Sequence, residues 1–239
     1  MKEKSKVLKI WYKYFLSVQT TQWIYFVYSI VLPIIMIFGS LNYPVYNNKN
    51  IIQVILPWIG FITYNNAITS NSDVINLREQ GYIKQYKTLI SSPYILVFSK
   101  HVVWFTMQLI EVLIISIVSY LFFGVNLIAN ALILSLVSLI SFFPLAFLFQ
   151  FLYIMPLSTQ TITVFTYIAT TIIFFFAFES NKSSLINSFN PILFFRSCFD
   201  LITSFSFSRF FSYLFISLIL SFIGLIGYKK MNTSPIEGY

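Results

Sequence analysis

One carboxylate stands inside a long apolar stretch of this chain: Glu111, with Gln108 three residues ahead on the same helical face. A carboxylate at the centre of a membrane helix costs about 2.5–3.5 kcal/mol on insertion scales, so it needs a partner or a proton. It could hold a proton or a cation. Equally, it could be a structural contact, hydrogen-bonded to a group such as Gln150 or carrying its own proton. A second polar set, Thr159, Thr163, Thr166 and Thr170, is spaced four, three and four apart, which aligns the hydroxyls on one helical stripe. Such a stripe packs helices closely or lines a moderately polar path. Adjacent Asn65 and Asn66 cannot both face lipid cheaply. We expect Asn65, with Trp58, Ile62 and Thr69 on the same line, to face protein or a wet cavity.

Other chemistry is absent from the sequence. Cys198 and His101 are each alone of their type, which excludes an intrachain disulfide, Cys or His metal clusters and most His-dependent triads. The spans offer no paired carboxylates or activated nucleophile, so no enzyme is expected. No GxxxxGK[ST] loop occurs; if ATP drives this protein, ATP and Mg must sit in another chain.

The elements that position these groups are set by composition. The chain is 58% hydrophobic and 9% charged, against about 25% charged in soluble domains, and its mean hydropathy is +0.81. The bilayer is its main solvent. A helix needs about 20 apolar residues to cross the hydrocarbon. Six segments qualify: Trp23–Leu41, Ile51–Ser70, Val102–Val125, Leu127–Ile154, Thr159–Phe178 and Phe210–Tyr228. Residues 1–239 thus read as a single all-α polytopic membrane domain. Pro33, Pro57 and Pro144 fall inside spans, where they read as packing kinks.

The positive-inside rule orients the spans. Lys2, Lys4, Lys6, Lys9, Lys13, Arg78, Lys84, Lys87, Lys100, Lys229 and Lys230, 11 of the 15 basic residues, fall on one side. Lys49, Lys182, Arg196 and Arg209 fall on the other. Both termini are therefore expected in the cytoplasm, and the net charge of +8 reflects membrane orientation, not nucleic acid. In residues 1–22, Val7, Leu8, Trp11, Tyr14 and Phe15 recur at helical spacing opposite Lys6, Lys9 and Lys13, as in a helix lying on anionic lipid. Residues 179–208 are apolar but interrupted, with a break at Asn190-Pro191. They read as an outer hairpin of two short helices that enter the membrane and return.

Asp73–Pro93 is the longest polar, basic interruption between spans. Val74, Leu77, Gln80 and Gly81 share one helical line, while Ile83, Tyr86, Lys87 and Ile90 share another. Arg78, Glu79, Lys84 and Lys87 are expected to face water. A cytoplasmic N-terminal helix, six spans, Arg78-Glu79-Gln80-Gly81 with Lys84 after the second span, and Asn190-Pro191 with Arg196 after the fifth resemble the ABC-2-type permeases. These are the membrane subunits of exporters driven by ATP-binding cassette proteins. Pro93 stands further behind Gly81 than the family pattern has it, Thr88–Ser92 being additional.

The resemblance implies that this segment is a coupling helix seated on an ATPase subunit. Carried over, the contact falls on Arg78, Glu79, Gly81, Tyr82 and Lys84, with Tyr86 and Lys87 beside them. It also implies two ATPase copies and a second permease, identical or related, in a bacterial cell membrane. Few intramembrane charges and many aromatic residues suit an amphipathic or apolar cargo, which the family makes a toxin or antimicrobial peptide (such as a phenol-soluble modulin) or a drug. A lipid-linked or polysaccharide cargo is the alternative within the family. Outside it, the alternative is a proton-coupled carrier using Glu111.

Overall fold

A computed structural model describes residues 2–21, 23–41, 51–89, 94–156, 158–179 and 190–231. Among them every regular element is helical: α1 Lys2–Thr21, α2 Trp23–Leu41, α3 Ile51–Glu79, α4 Tyr82–Leu89, α5 Tyr94–Phe123, α6 Leu127–Phe149 with a 3-10 extension Gln150–Ile154, α7 Thr159–Glu179, α8 Pro191–Thr203 and α9 Phe207–Lys229. Among the described residues, four stretches are long and apolar enough to cross a membrane: Ile51–Glu79, Tyr94–Phe123, Leu127–Ile154 and Phe207–Lys229. The expected spans Trp23–Leu41 and Thr159–Phe178 are helical, but they are not among these four. In α2 the described apolar stretch, Phe26–Gly39, is shorter.

Two helices run well beyond the apolar segments expected to span. The helix expected to end at Ser70 runs on to Glu79, and the one expected to begin at Val102 begins at Tyr94. Asp73 and Lys100, just beyond those segments, form an ion pair at 2.9 Å between the two helices. Trp104 donates its indole N–H to the same carboxylate oxygen at 3.0 Å. The pairing satisfies both charges where the two helices pack together.

α3 is the axis of the fold, with α2, α5, α6, α7 and α8 packed around it. That enclosure explains its mixed composition: Asn66, Ser70 and Asn71 are as buried as Ile59 and Ile62. α8 lies directly on α3. A β-carbon added at Gly60 would press on the Ile192 backbone at 3.2–3.3 Å. Asn190 starts α8 by accepting from the Ile192 amide at 3.0 Å, with Pro191 at the first helical position. Its amide also donates to the Ile173 carbonyl of α7 at 3.2 Å. Phe194, Phe195 and Cys198 of α8 are buried in the main core. The other half of the expected outer hairpin, residues 180–189 with Lys182, lies outside the described residues, as do Lys49, Ile90 and Pro93.

α9 closes the bundle against α6 and its 3-10 extension. Gly224 and Gly227 make this possible, because a β-carbon there would collide with the backbone of Phe147 and of Gln150 respectively. The opposite face of α9, with Phe211, Phe215, Leu218 and Phe222, is exposed, as a lipid-facing surface must be.

α1 packs along α5. Phe15 is buried with Leu96 and Val103, Tyr12 and Thr106 share a hydrogen bond at 3.3 Å, and the Lys100 ammonium sits 4.5 Å above the Phe15 ring. Lys6, Lys9 and Lys13 are exposed. Tyr14, expected on the apolar face, is 53% exposed beside Ile10.

Candidate functional site

A cavity of about 440 Å³ lies between α1, α2, α3, α5 and α7. It gathers most of the polar groups singled out in the sequence. Asn65, Thr69, Glu111, Thr163, Thr166 and Thr170 all line it, together with Asn66, Ser72 and Asp73. Trp58 and Ile62 do not: both are buried in the main core. The cavity stripe on α3 starts one turn later, at Phe61, and runs to Asp73, because the Trp58 level of α3 is already enclosed by its neighbours.

Glu111 is 1% exposed. It accepts from the Ser29 hydroxyl and, at 2.6 Å, from the Asn66 amide. The expected contact with Gln150 does not form. Gln150 pairs instead with the His101 ring at 3.1 Å, and His101 lies ten residues before Glu111 on α5, about 15 Å of helix rise. Gln108 donates to the Thr63 hydroxyl at 2.8 Å, just outside the cavity lining.

A polar network that the sequence did not single out joins α3, α5 and α6. The Ser70 hydroxyl donates to the Ala67 carbonyl at 2.7 Å, which spends its one hydrogen. At its 3.0 Å contact with His101 Nδ1 it must therefore accept, leaving Nε2 as acceptor for the Gln150 amide. Asn71 donates to the Ala67 and Ala146 carbonyls at 2.8 and 3.0 Å, and the Tyr153 hydroxyl donates to Asn71 at 2.6 Å. Every named member has a partner, as low-dielectric surroundings require. Serine-asparagine pairing at positions 70 and 71, at helical intervals from Asn66, was the available signal.

At the Arg78 end of the bundle, two neighbouring residues hold two helix ends. Arg78 was expected to face water but is 1% exposed. Its guanidinium donates to the Tyr153 and Met155 carbonyls at 3.3 and 3.2 Å, where the α6 extension ends. Glu79 accepts from the Thr159 amide at 2.6 Å and from the Thr159 hydroxyl, where α7 begins. Each charge meets the complementary end of a helix dipole. The chain then reverses at Gly81, whose φ of +74° only glycine adopts without strain.

The α4 helix that follows buries Ile83 in the main core and rests Tyr86 on Trp11 at 4.5 Å. Burial pushes the Tyr86 hydroxyl up from its ordinary value, with Tyr14 and Tyr82 adding to the effect. Tyr82 and Lys84 are exposed. The Lys87 side chain lies outside the described set.

The cavity can hold a guest of modest size against acceptor oxygens and aromatic rings. Among the described residues, no group of three His, Cys, Asp or Glu side chains is placed to hold a metal ion. Comparison of the chain with family models, curated proteins and solved structures gave no match.

Proposed function

We propose that this chain is the membrane subunit of an exporter, with six spans, both termini in the cytoplasm and a separate ATP-hydrolysing partner. The observation that carries the reading is the continuity of α3. One end of this helix lines the cavity through Asn65, Thr69 and Asp73. The same end finishes in Arg78 and Glu79, which grip α6 and α7, and then in the Gly81 turn and the exposed Tyr82 and Lys84. A push on α4 has a direct path through α3 to α7, which lines the cavity, and to α6. Two ATPase copies with Mg-bound ATP would supply it, and a second permease meeting this one near α3 and α7 would complete the path for an amphipathic toxin peptide or drug. The chain itself breaks no bond.

Affinity purification of the tagged chain with its genomic neighbours tests this. A co-purifying ATPase, and export from vesicles that stops when ATP is withheld, is the expected outcome. A second reading rests on Glu111 at the cavity wall: a proton-coupled carrier. Export that persists without ATP and collapses with the proton gradient would select that reading instead.

A further inference from the structure

Three threonine hydroxyls face the cavity as acceptors, beside the uncharged side chains of Gln19, Tyr28, Asn65 and Ser72. The hydroxyls of Thr69, Thr163 and Thr166 each spend their hydrogen on a carbonyl one turn back in their own helix, at 2.7, 2.8 and 2.7 Å. Toward the cavity they present lone pairs. The Trp104 N–H is spent on Asp73, and the Asn66 amide is directed at Glu111. The charges point the same way. Lys100 answers Asp73, whereas the groups bonded to Glu111 are neutral: the Asn66 amide, and the Ser29 hydroxyl, which also lies 2.8 Å from the Phe26 carbonyl. No Lys, Arg or His is among the lining residues described. The walls include the rings of Phe26, Tyr28, Phe61 and Trp104, surfaces that attract a cation through their π faces.

We propose that this cavity binds a primary ammonium carried on an apolar or aromatic body, with Glu111 as its counter-charge. Its N–H donors match the threonine lone pairs, and a charge-assisted bond to Glu111 is the strongest contact available. An anion would meet carboxyl oxygens and lone pairs. The volume, about 440 Å³, is that of a small-ligand site. The inference rests on the export reading only in making this group part of the cargo, since the site itself needs no ATPase.

The test uses the full-length chain in nanodiscs of phosphatidylglycerol, titrated calorimetrically with 2-phenylethylammonium, the neutral 2-phenylethanol and the anionic 3-phenylpropionate. The ammonium should bind about tenfold tighter than the alcohol, a difference of one good charge-assisted contact, and the anion should not compete. Glu111→Gln should abolish the preference while alcohol binding remains. Equal binding of the three probes, or a preference that survives Glu111→Gln, overturns the proposal.

Should Glu111→Gln fail to fold, a second measurement on the wild-type site decides. In a Cys198→Ala, Thr166→Cys background, a cationic methanethiosulfonate should react several-fold faster than an anionic one. Equal rates overturn the proposal. Adding phosphatidylethanolamine to the nanodiscs separates two sources of the ammonium. Competition with the probe assigns the site to a lipid headgroup, and no competition assigns it to soluble cargo. Because no ATP enters these assays, a negative result leaves the ATPase partnership standing with an uncharged cargo, and a missing ATPase leaves the binding result untouched.

Discussion

Asp73 and Lys100 show how much one interhelical pair decides. Either charge alone would be stranded beside apolar helices, whereas together, with Trp104, each has a partner. Asp73→Ala should therefore destabilise the chain by about 1.5–3 kcal/mol, at the lower end because the aspartate is partly exposed. Asp73→Ala combined with Lys100→Met should recover most of that loss in detergent melting curves, the signature of a pair whose members are costly apart. A double variant as unstable as the single one would show that Asp73 acts through Trp104 instead. Glu111 differs in kind. Its apolar setting was plain in the sequence, but its partners were not. Choosing Ser29 and Asn66 over Gln150 requires knowing which turn of α2 and α3 faces which turn of α5, and residue types do not encode that distance.

Among the elements, α9 depends on what its glycines omit. Its approach to α6 brings backbone against backbone at Phe147 and Gln150, close to where α6 tightens into a 3-10 turn. Gly227→Ala should cost at least about 1–3 kcal/mol, as overpacking of a fixed neighbour does, because the obstructing atoms are main chain and cannot rotate away. Gly39 is the control. Nothing lies within 4 Å of a β-carbon there, so Gly39→Ala should leave melting unchanged or raise it by up to about 1 kcal/mol through helix propensity. Equal effects at the two sites would refute the close approach.

Long apolar runs made α3, α5, α6 and α9 readable in advance, since twenty apolar residues have few other uses. Helix ends were harder. Arg78 looked like a solvent-exposed coupling residue because its position next to Glu79, Gln80 and Lys84 is polar. Its actual partners, the carbonyls of Tyr153 and Met155, belong to main chain more than seventy residues away and leave no mark in composition.

For the molecule as a whole, the cavity, the threonine face of α7 and the end of α3 are parts of one proposed device. If export passes through the cavity, Thr166→Trp should block it while ATP hydrolysis by the partner continues, measured together in reconstituted vesicles. Export at the wild-type rate would place the path elsewhere. Orientation has its own test. With Cys198 replaced, a cysteine at exposed Ser204 should react with an impermeant thiol reagent added to intact cells, while one at Lys6 should react only after the membrane is opened; the reverse pattern would invert the assignment.

The grip of Arg78 and Glu79 carries a consequence that ordinary ion pairs do not. Two oppositely charged side chains bound to each other can usually be exchanged with little harm, since the attraction has no direction. Here each is bound to a helix terminus, and a terminus has a fixed polarity. Exchanging the two, Arg78→Glu with Glu79→Arg, would set a carboxylate against the Tyr153 and Met155 carbonyls and a guanidinium against the Thr159 amide. Net charge, composition and local sequence character would all be preserved, yet the double variant should be less stable than either Arg78→Gln or Glu79→Gln alone. The order of two adjacent letters, rather than their presence, is what joins three helices at that end of the bundle.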